Sequence, residues 1–161
     1  MAKLPSWPVL WAQYYDYVNY SSETVKQEIG GRVTSEKIKN TCAVRMSYAM
    51  NYMGIKVPAN FPGMVTVAGG DGLRYAVRSL EMREWLRHEL GTPDFYLKKK
   101  ANDPFDKSTI PPMQGVIAFK IKFTDASGHL DVWTNGRFSA DQIATKDYFN
   151  AATRISIWRC A

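Results

Sequence analysis

The sequence predicts an α+β domain in which N-terminal helices pack on a small antiparallel sheet. Apolar residues recur at helical spacing in the first half of the chain, whereas three segments after about residue 112 alternate apolar and polar residues. Helices followed by strands are typical of an α+β domain rather than of repeated βαβ units. The 161 residues are enough for one core and contain no internal repeat or linker, so we expect one domain over residues 1–161.

Four segments of the first half have the spacing and the terminal residues of helices. They are residues 6–20, 22–29, 35–53 and 71–91. The second and fourth end at glycines, which commonly stop helices, and Asp71 is a suitable N-cap for the fourth. We therefore expect the region before residue 92 to be helical.

Three segments of the second half have the alternation of strands. They are "GVIAFKIKF" at 115–123, "GHLDVWTNGRF" at 128–138 and "ATRISIWRC" at 152–160. The second contains Asn135-Gly136, the dipeptide most typical of a tight hairpin turn. These segments predict the antiparallel sheet.

The net charge of +6, from 21 basic and 15 acidic residues, favours anionic surroundings such as a nucleic acid, a membrane surface or a cell wall. The one lysine-rich stretch, "LKKKANDPFDK", resembles a solvated loop, and no nucleic-acid motif accompanies it. No window approaches the roughly 18 apolar residues of a membrane span. The first residues lack the apolar region of a signal peptide. We expect neither a nucleic-acid partner nor membrane insertion.

Cys42 is the first candidate for chemistry, because it precedes the apolar pattern of the third predicted helix. A helix N-terminus favours a thiolate over a thiol, and a thiolate is the reactive form. A free cysteine is also commonly a small buried hydrophobe, and the pattern alone favours that inert role. Cys160, the second cysteine, is expected to be a free terminal thiol. Two cysteines this far apart do not make a disulfide framework.

A nucleophilic cysteine needs a base, and the chain has two histidines. His88 lies among charges on a helix, whereas His129 follows Ser127-Gly128 at the start of a strand. Asp131 shares a face with His129 in a regular strand, and Asp141 lies where the chain could return after the turn. Spacing does not choose between these two aspartates as the group that orients the imidazole. The histidines and cysteines lack metal-ligand spacing, so no metal or other cofactor is expected.

Four blocks of sequence are more specific than these single residues. They are "IGGRV" at 29–33, "NTCAVRMSYAMNYMGIKVP" at 40–58, "GDGLRYAVRSLEMREWLRHELGTPD" at 70–94 and "GVIAFKIKFTDASGHLDVW" at 115–133. In this order they resemble the fourth family of type VI secretion amidase effectors over nearly the whole chain. The resemblance is strongest around Cys42 and His129.

The resemblance implies a papain-like, NlpC-related cysteine hydrolase that cleaves peptidoglycan stem peptides between D-glutamate and meso-diaminopimelate. It also implies synthesis in the producer cytoplasm, delivery by the secretion machinery into the periplasm of target bacteria, and a cognate immunity protein. Two alternatives are a cysteine peptidase or amidase for another peptide and an inactive protein that binds the wall or the immunity protein.

By the same resemblance, Cys42 is the nucleophile, His129 the base and Asp141 the acid, with Asp131 as the alternative. The backbone N–H of Cys42 is a candidate donor to the oxyanion. Asn40 adds a second donor or caps the helix, and Trp133 lines the cleft or belongs to the core.

Overall fold

The computed structural model describes residues 1–122 and 127–161. Its helices are α1 (Trp7–Gln13), α2 (Ser22–Ile29), α3 (Cys42–Tyr52), α4 (Ser79–Leu90) and α5 (Tyr148–Ala151). Its strands are β1 (Thr66–Ala68), β2 (Arg74–Ala76), β3 (Phe95–Lys98), β4 (Gln114–Lys120), β5 (Gly128–Thr134), β6 (Arg137–Phe138) and β7 (Arg154–Arg159). Short 3-10 helices cover Gly31–Thr34, Lys107–Thr109 and Ser139–Gln142. In the described ranges, no helix is both long and apolar enough to cross a bilayer.

Five of the strands form one antiparallel sheet in the order β3-β7-β4-β5-β6. The three predicted strands correspond to β4, to β5 with β6, and to β7; the end of the first prediction, Phe123, lies outside the described residues. The predicted turn between β5 and β6 is also found, since Asn135 and Gly136 have φ values of 43° and 97°. The α+β architecture expected from the sequence is therefore confirmed.

Both faces of the sheet are covered, because alternate residues of each central strand enter two different cores. One core joins the sheet to α1, α3 and α4, and its strand residues are Val116, Ala118, Leu130, Val132 and Trp158. The other lies on the opposite face against the segments around Ile110, Phe138 and Phe149, and its strand residues include Ile117, Phe119, Trp133, Ile155 and Ile157. Helix α3 packs directly on β5, so the helix that begins at Cys42 lies against the strand that carries His129.

Three of the predicted helices are shorter than expected. The first helix ends at Gln13, so residues 14–20 lie outside it. The third helix begins at Cys42 rather than at residue 35. The fourth begins at Ser79 rather than at Asp71. The prediction for residues 71–76 was wrong, because this stretch contains the turn and second strand of the β1–β2 hairpin.

Asp71 explains how the hairpin replaces the expected helix start. Its carboxylate accepts a hydrogen bond from the Leu73 N–H at 3.0 Å and from the hydroxyls of Tyr52 and Tyr75. The carboxylate therefore closes a turn instead of capping a helix, because Asp side chains satisfy a backbone N–H two residues on in either setting.

The hairpin is fixed to the end of α2 by a contact between backbones. Gly31 has φ +62°, and a Cβ added there would lie 2.5 Å from the carbonyl carbon of Gly69. The Gly70 N–H donates to the Ile29 carbonyl at 3.0 Å in the same contact. Only glycine fits at position 31, because both the left-handed conformation and the close approach exclude a side chain.

We expect Gly31→Ala to lower the free energy of unfolding by about 2–4 kcal/mol, since it combines a left-handed conformation with a steric clash. Gly63→Ala is the matched control, because Gly63 has φ +81° but open space around its Cα. The control should lose only about 1–2 kcal/mol, the cost of the conformation alone. Urea unfolding of both variants measures the difference, and equal losses would contradict a role for the contact.

Candidate active site

Cys42 is the first residue of α3 and lies in the wall of an open cleft. The cleft has a volume of about 750 Å³ and is walled by residues of the segment 35–42, by Val67, by the segment 77–81 and by Ser127. Cys42 is otherwise almost fully enclosed, with 1% of its surface exposed. We call this cavity the Cys42 cleft. Its size and the thiol in its wall suit the binding of a small peptide.

His129, the second residue of β5, brings its ring to Cys42 and to Asp131. The imidazole Nε2 lies 2.8 Å from Asp131 Oδ2, and the Cys42 thiol is close enough to the ring to raise the pKa of His129. The rings of Tyr17 and Tyr148 pack on it with centroids 5.4 Å and 5.1 Å away. The structure thus brings a thiol, an imidazole and a carboxylate together, with the imidazole hydrogen-bonded to the carboxylate.

Asp131 is fully buried and holds its carboxylate in a dense set of donors. Besides the imidazole, it accepts hydrogen bonds from Tyr14 Oη at 3.1 Å and from the backbone N–H groups of Val132 at 2.8 Å, Ser139 at 3.1 Å and Ala140 at 2.9 Å. So many donors compensate the buried carboxylate for the loss of water. The same bonds fix the direction in which the carboxylate meets the ring.

The pKa of His129 reflects two opposed effects. Burial disfavours the imidazolium, but the hydrogen bonds and charges of Asp131 and Cys42 outweigh burial and raise the pKa to about 9. The imidazole is therefore protonated at neutral pH, which is the form that can pair with a thiolate and deliver a proton.

Asp141, the acid implied by the family resemblance, occupies a different place. It lies in the 3-10 helix Ser139–Gln142, and its Oδ2 is 3.7 Å from Lys107 Nζ. The N–H groups at the start of that helix bind the carboxylate of Asp131, so the helix supports the acid but does not supply it. Within the described residues, the carboxylate on the imidazole is Asp131. The structure therefore places Asp131, the alternative left open by spacing, beside the imidazole and places Asp141 beside Lys107.

The other two predicted site residues have structural contacts. Asn40 Oδ1 accepts the Cys42 N–H at 2.9 Å, the contact expected of a residue that caps the first turn of α3. Trp133 is 1% exposed and packs edge-on against Phe149 in the second core, with centroids 5.6 Å apart. Trp133 thus does not line the Cys42 cleft, because its position in β5 faces the same interior as Phe119.

Arg45 is a site residue that sequence reasoning missed. Its buried guanidinium donates to the carbonyls of Tyr15 at 2.9 Å and Asp16 at 3.0 Å, and its Cζ lies 3.8 Å from the centroid of the Tyr17 ring. Arg45 therefore holds the chain after α1 against the site, including the tyrosine that packs on His129. A charged residue three positions after the cysteine, inside an otherwise apolar helix, was the available signal.

Tyr14 was also missed, although the predicted first helix placed it on the apolar face. Burial, and then the charge of Asp131, raise the pKa of Tyr14 well above its ordinary value. Its hydroxyl is consequently protonated at neutral pH and donates to Asp131. Sequence periodicity identified Tyr14 as buried but gave no indication of its partner.

The comparisons with known proteins agree with this geometry. A family model described as "Type VI secretion system (T6SS), amidase effector protein 4" matches residues 38–158. The effector Tae4 from Enterobacter cloacae has 30% identity and a TM-score of 0.80, with 100% of both chains covered. The Tae4 of the Tae4–Tai4 effector–immunity system from Salmonella typhimurium has 27% identity and a TM-score of 0.82, covering 98% of this chain and 99% of that one. No curated protein has a matching sequence.

The match to the family model spans well over half of the chain and contains both Cys42 and His129. The structural neighbours extend the similarity to almost the full length, including α1, α2 and the cleft walls. The predicted family and the papain-like fold are therefore confirmed, and the chain belongs to the type VI secretion system amidase effector protein 4 family, whose members are amidases delivered into target bacteria.

Proposed function

We propose that this chain is a single-domain DL-endopeptidase that acts in the periplasm of target bacteria. Its substrate is the bond between the γ-carboxyl of D-glutamate and meso-diaminopimelate in peptidoglycan stem peptides. The observation that carries the proposal is the series Cys42, His129 and Asp131 at the wall of the Cys42 cleft. Family membership supplies the amidase chemistry.

The mechanism follows from the protonation states of the three groups. Cys42, as a thiolate beside the His129 imidazolium, attacks the γ-glutamyl carbonyl carbon and forms a C–S bond. The imidazolium then gives its proton to the nitrogen of diaminopimelate, and the C–N bond breaks. Water, deprotonated by the now neutral imidazole, attacks the thioester and releases the glutamyl carboxylate and the thiol. Asp131 keeps the imidazole oriented through Nε2 at every step.

Stabilisation of the oxyanion requires a change at Asn40. The Cys42 N–H is the donor nearest to the nucleophile, and in the structure it is bonded to Asn40 Oδ1 at 2.9 Å. The substrate carbonyl oxygen therefore replaces the Asn40 oxygen at this N–H when the tetrahedral intermediate forms. A developing negative charge is a better acceptor than a neutral amide, so the exchange favours the transition state.

We also infer that the chain is neutralised by a cognate immunity protein in the cell that produces it. The similar effectors from Enterobacter cloacae and Salmonella typhimurium are described in complexes with Tai4. The likeness to these effectors extends over 98% of this chain, which supports a partner of the same kind. The secretion machinery and the stem peptide are the other expected partners.

Replacing the nucleophile tests the proposed activity. Cys42→Ala should lower the rate of release of peptides from purified sacculi by at least about 10³-fold, because the thiol forms the covalent intermediate. Cys160→Ala is the matched control and should retain activity, since Cys160 is a free thiol at the far end of the chain. Mass spectrometry of the products should show a new glutamyl carboxyl terminus and a free diaminopimelate amine. Unchanged release by Cys42→Ala would favour an inactive binding protein, and a different cut bond would favour another peptide substrate.

The assignment of the acid is tested by a pair of equal substitutions. Asp131→Asn should lower kcat roughly 10²- to 10⁴-fold, because an amide cannot hold the imidazolium in the same way. Asp141→Asn should stay within about twofold of the wild type, since Asp141 bonds to an exposed lysine. Muropeptide digestion by both variants decides the matter, and loss of turnover only in Asp141→Asn would restore the acid implied by the family resemblance.

The raised pKa of His129 predicts an alkaline limit for the reaction. As the pH passes about 9, the imidazolium that protonates the leaving amine is lost, so kcat should fall. Tyr14→Phe removes one hydrogen-bond donor from Asp131 without touching the imidazole. The carboxylate is then less strongly held, so the pH at which kcat falls should change. Profiles of kcat from pH 6 to 10.5 measure the limit (these values span the expected pKa, about 9). A limit near the ordinary histidine pKa would contradict the ion pair.

A further inference from the structure

Two lysines stand on the rim of the Cys42 cleft immediately before the nucleophile. Lys37 and Lys39 line the cleft and are exposed, and the chain continues from them through Asn40 to Cys42. Only Ile38 separates them in the sequence, so both lysines are carried by one short segment of the cleft wall. The mechanism above gives neither lysine a role.

Hydrogen bonds hold the backbone of residues 37–39 in place. The buried Lys26 of α2 donates through Nζ to the Ile38 carbonyl at 2.9 Å, and the Ile38 N–H donates to the Ser35 carbonyl at 3.1 Å. Asn40 is tied to the first turn of α3 by its bond with the Cys42 N–H. The segment therefore presents its lysines at a defined place, which reduces the ordering cost of binding.

The charge of the cleft is unbalanced in favour of cations. Among the described residues that line it, the cations are Lys37, Lys39 and Arg78, and the carboxylate is Glu81. Glu81 is already engaged, since its Oε2 lies 3.2 Å from Arg78 Nη1 and its Oε1 accepts the Val65 N–H at 2.8 Å. Within residues 1–122 and 127–161, no carboxylate lies within ion-pair distance of the Lys37 or Lys39 ammonium group. The excess of cationic side chains in the cleft thus suits a ligand with free carboxylates.

The proposed substrate carries such groups next to the bond that is cut. A glutamate joined through its γ-carboxyl keeps its α-carboxylate free, and diaminopimelate keeps a carboxylate of its own. We propose that Lys37 and Lys39 bind a free carboxylate of the stem peptide beside the scissile amide and so determine the preference for non-amidated stems. This inference rests on the proposed function and assigns a binding role to residues outside the catalytic series.

The experiment compares two double substitutions that remove the same charge. Lys37→Gln with Lys39→Gln removes the rim lysines, and Lys98→Gln with Lys100→Gln removes two lysines at β3, the opposite edge of the sheet. The substrates are synthetic L-Ala-γ-D-Glu-meso-diaminopimelate and its two amides, one at the glutamyl α-carboxyl and one at the diaminopimelate carboxyl. The two amides distinguish which carboxylate is bound.

We expect the rim variant to raise KM for the free acid roughly threefold to tenfold, with kcat within about twofold of the wild type. For the wild type, KM should rise by the same factor on one of the two amides. For the rim variant, KM should be the same for that amide and for the free acid. Added salt should narrow the difference between wild type and rim variant, because the lysines are exposed. The β3 variant should match the wild type throughout, and urea unfolding should show both variants folded.

The inference is overturned if the rim variant and the β3 variant have equal KM values and equal discrimination between acid and amides while the wild type cleaves the free acid. A fall in kcat without a change in KM would also overturn it, because that result belongs to the reacting groups. Failure of the wild type to cleave any of the three peptides would instead overturn the proposed function, and this inference with it.

Discussion

The hydrogen bond between His129 Nε2 and the buried carboxylate of Asp131 is the interaction on which the site depends. A carboxylate without water is costly unless donors surround it, and here the donors come from three separate parts of the chain. Tyr14 supplies one from beyond α1, Val132 supplies one from β5, and Ser139 and Ala140 supply two from the 3-10 helix that follows β6. The N-terminal segment, the sheet and the C-terminal loop are thereby required to meet at one point. The charge that orients the imidazole is also a folding constraint.

Arg45 provides the complementary constraint on the helix side. Its guanidinium is buried, and its acceptors are neutral: the carbonyls of Tyr15 and Asp16 and the hydroxyl of Thr41. Its planar face also lies on the ring of Tyr17. This guanidinium therefore lies close to the start of α3, where a thiolate is required. The site thus combines a carboxylate beneath the imidazole with a guanidinium one turn along the helix of the nucleophile. Both side chains are held by several hydrogen bonds, so these two groups need little reorganisation when the reaction begins.

Sequence reasoning identified Cys42 and His129 because each has a local signal, namely a helix start and a strand start after glycine. Spacing left the acid open, since it is compatible with both Asp131 and Asp141. The family resemblance then favoured Asp141, which the structure places away from the imidazole. Strand alternation did contain the answer, because residues two apart on β5 share a face. The β1–β2 hairpin could not be predicted in the same way. The sequence from Asp71 onward has helical spacing, and the competing turn depends on Tyr52, which lies far away in the sequence.

The glycine contact between α2 and the hairpin has a consequence for the shape of the cleft. Val67 and the segment 77–81 form one wall, and Val67 belongs to the hairpin whose turn meets Gly31 through the main-chain atoms of Gly69 and Gly70. A spacing set by main-chain atoms does not change when neighbouring side chains are exchanged. The width of the cleft opening therefore does not depend on which side chains lie on its rim. Surface residues around the cleft can change their charge or size while the gap that admits the stem peptide keeps its dimensions.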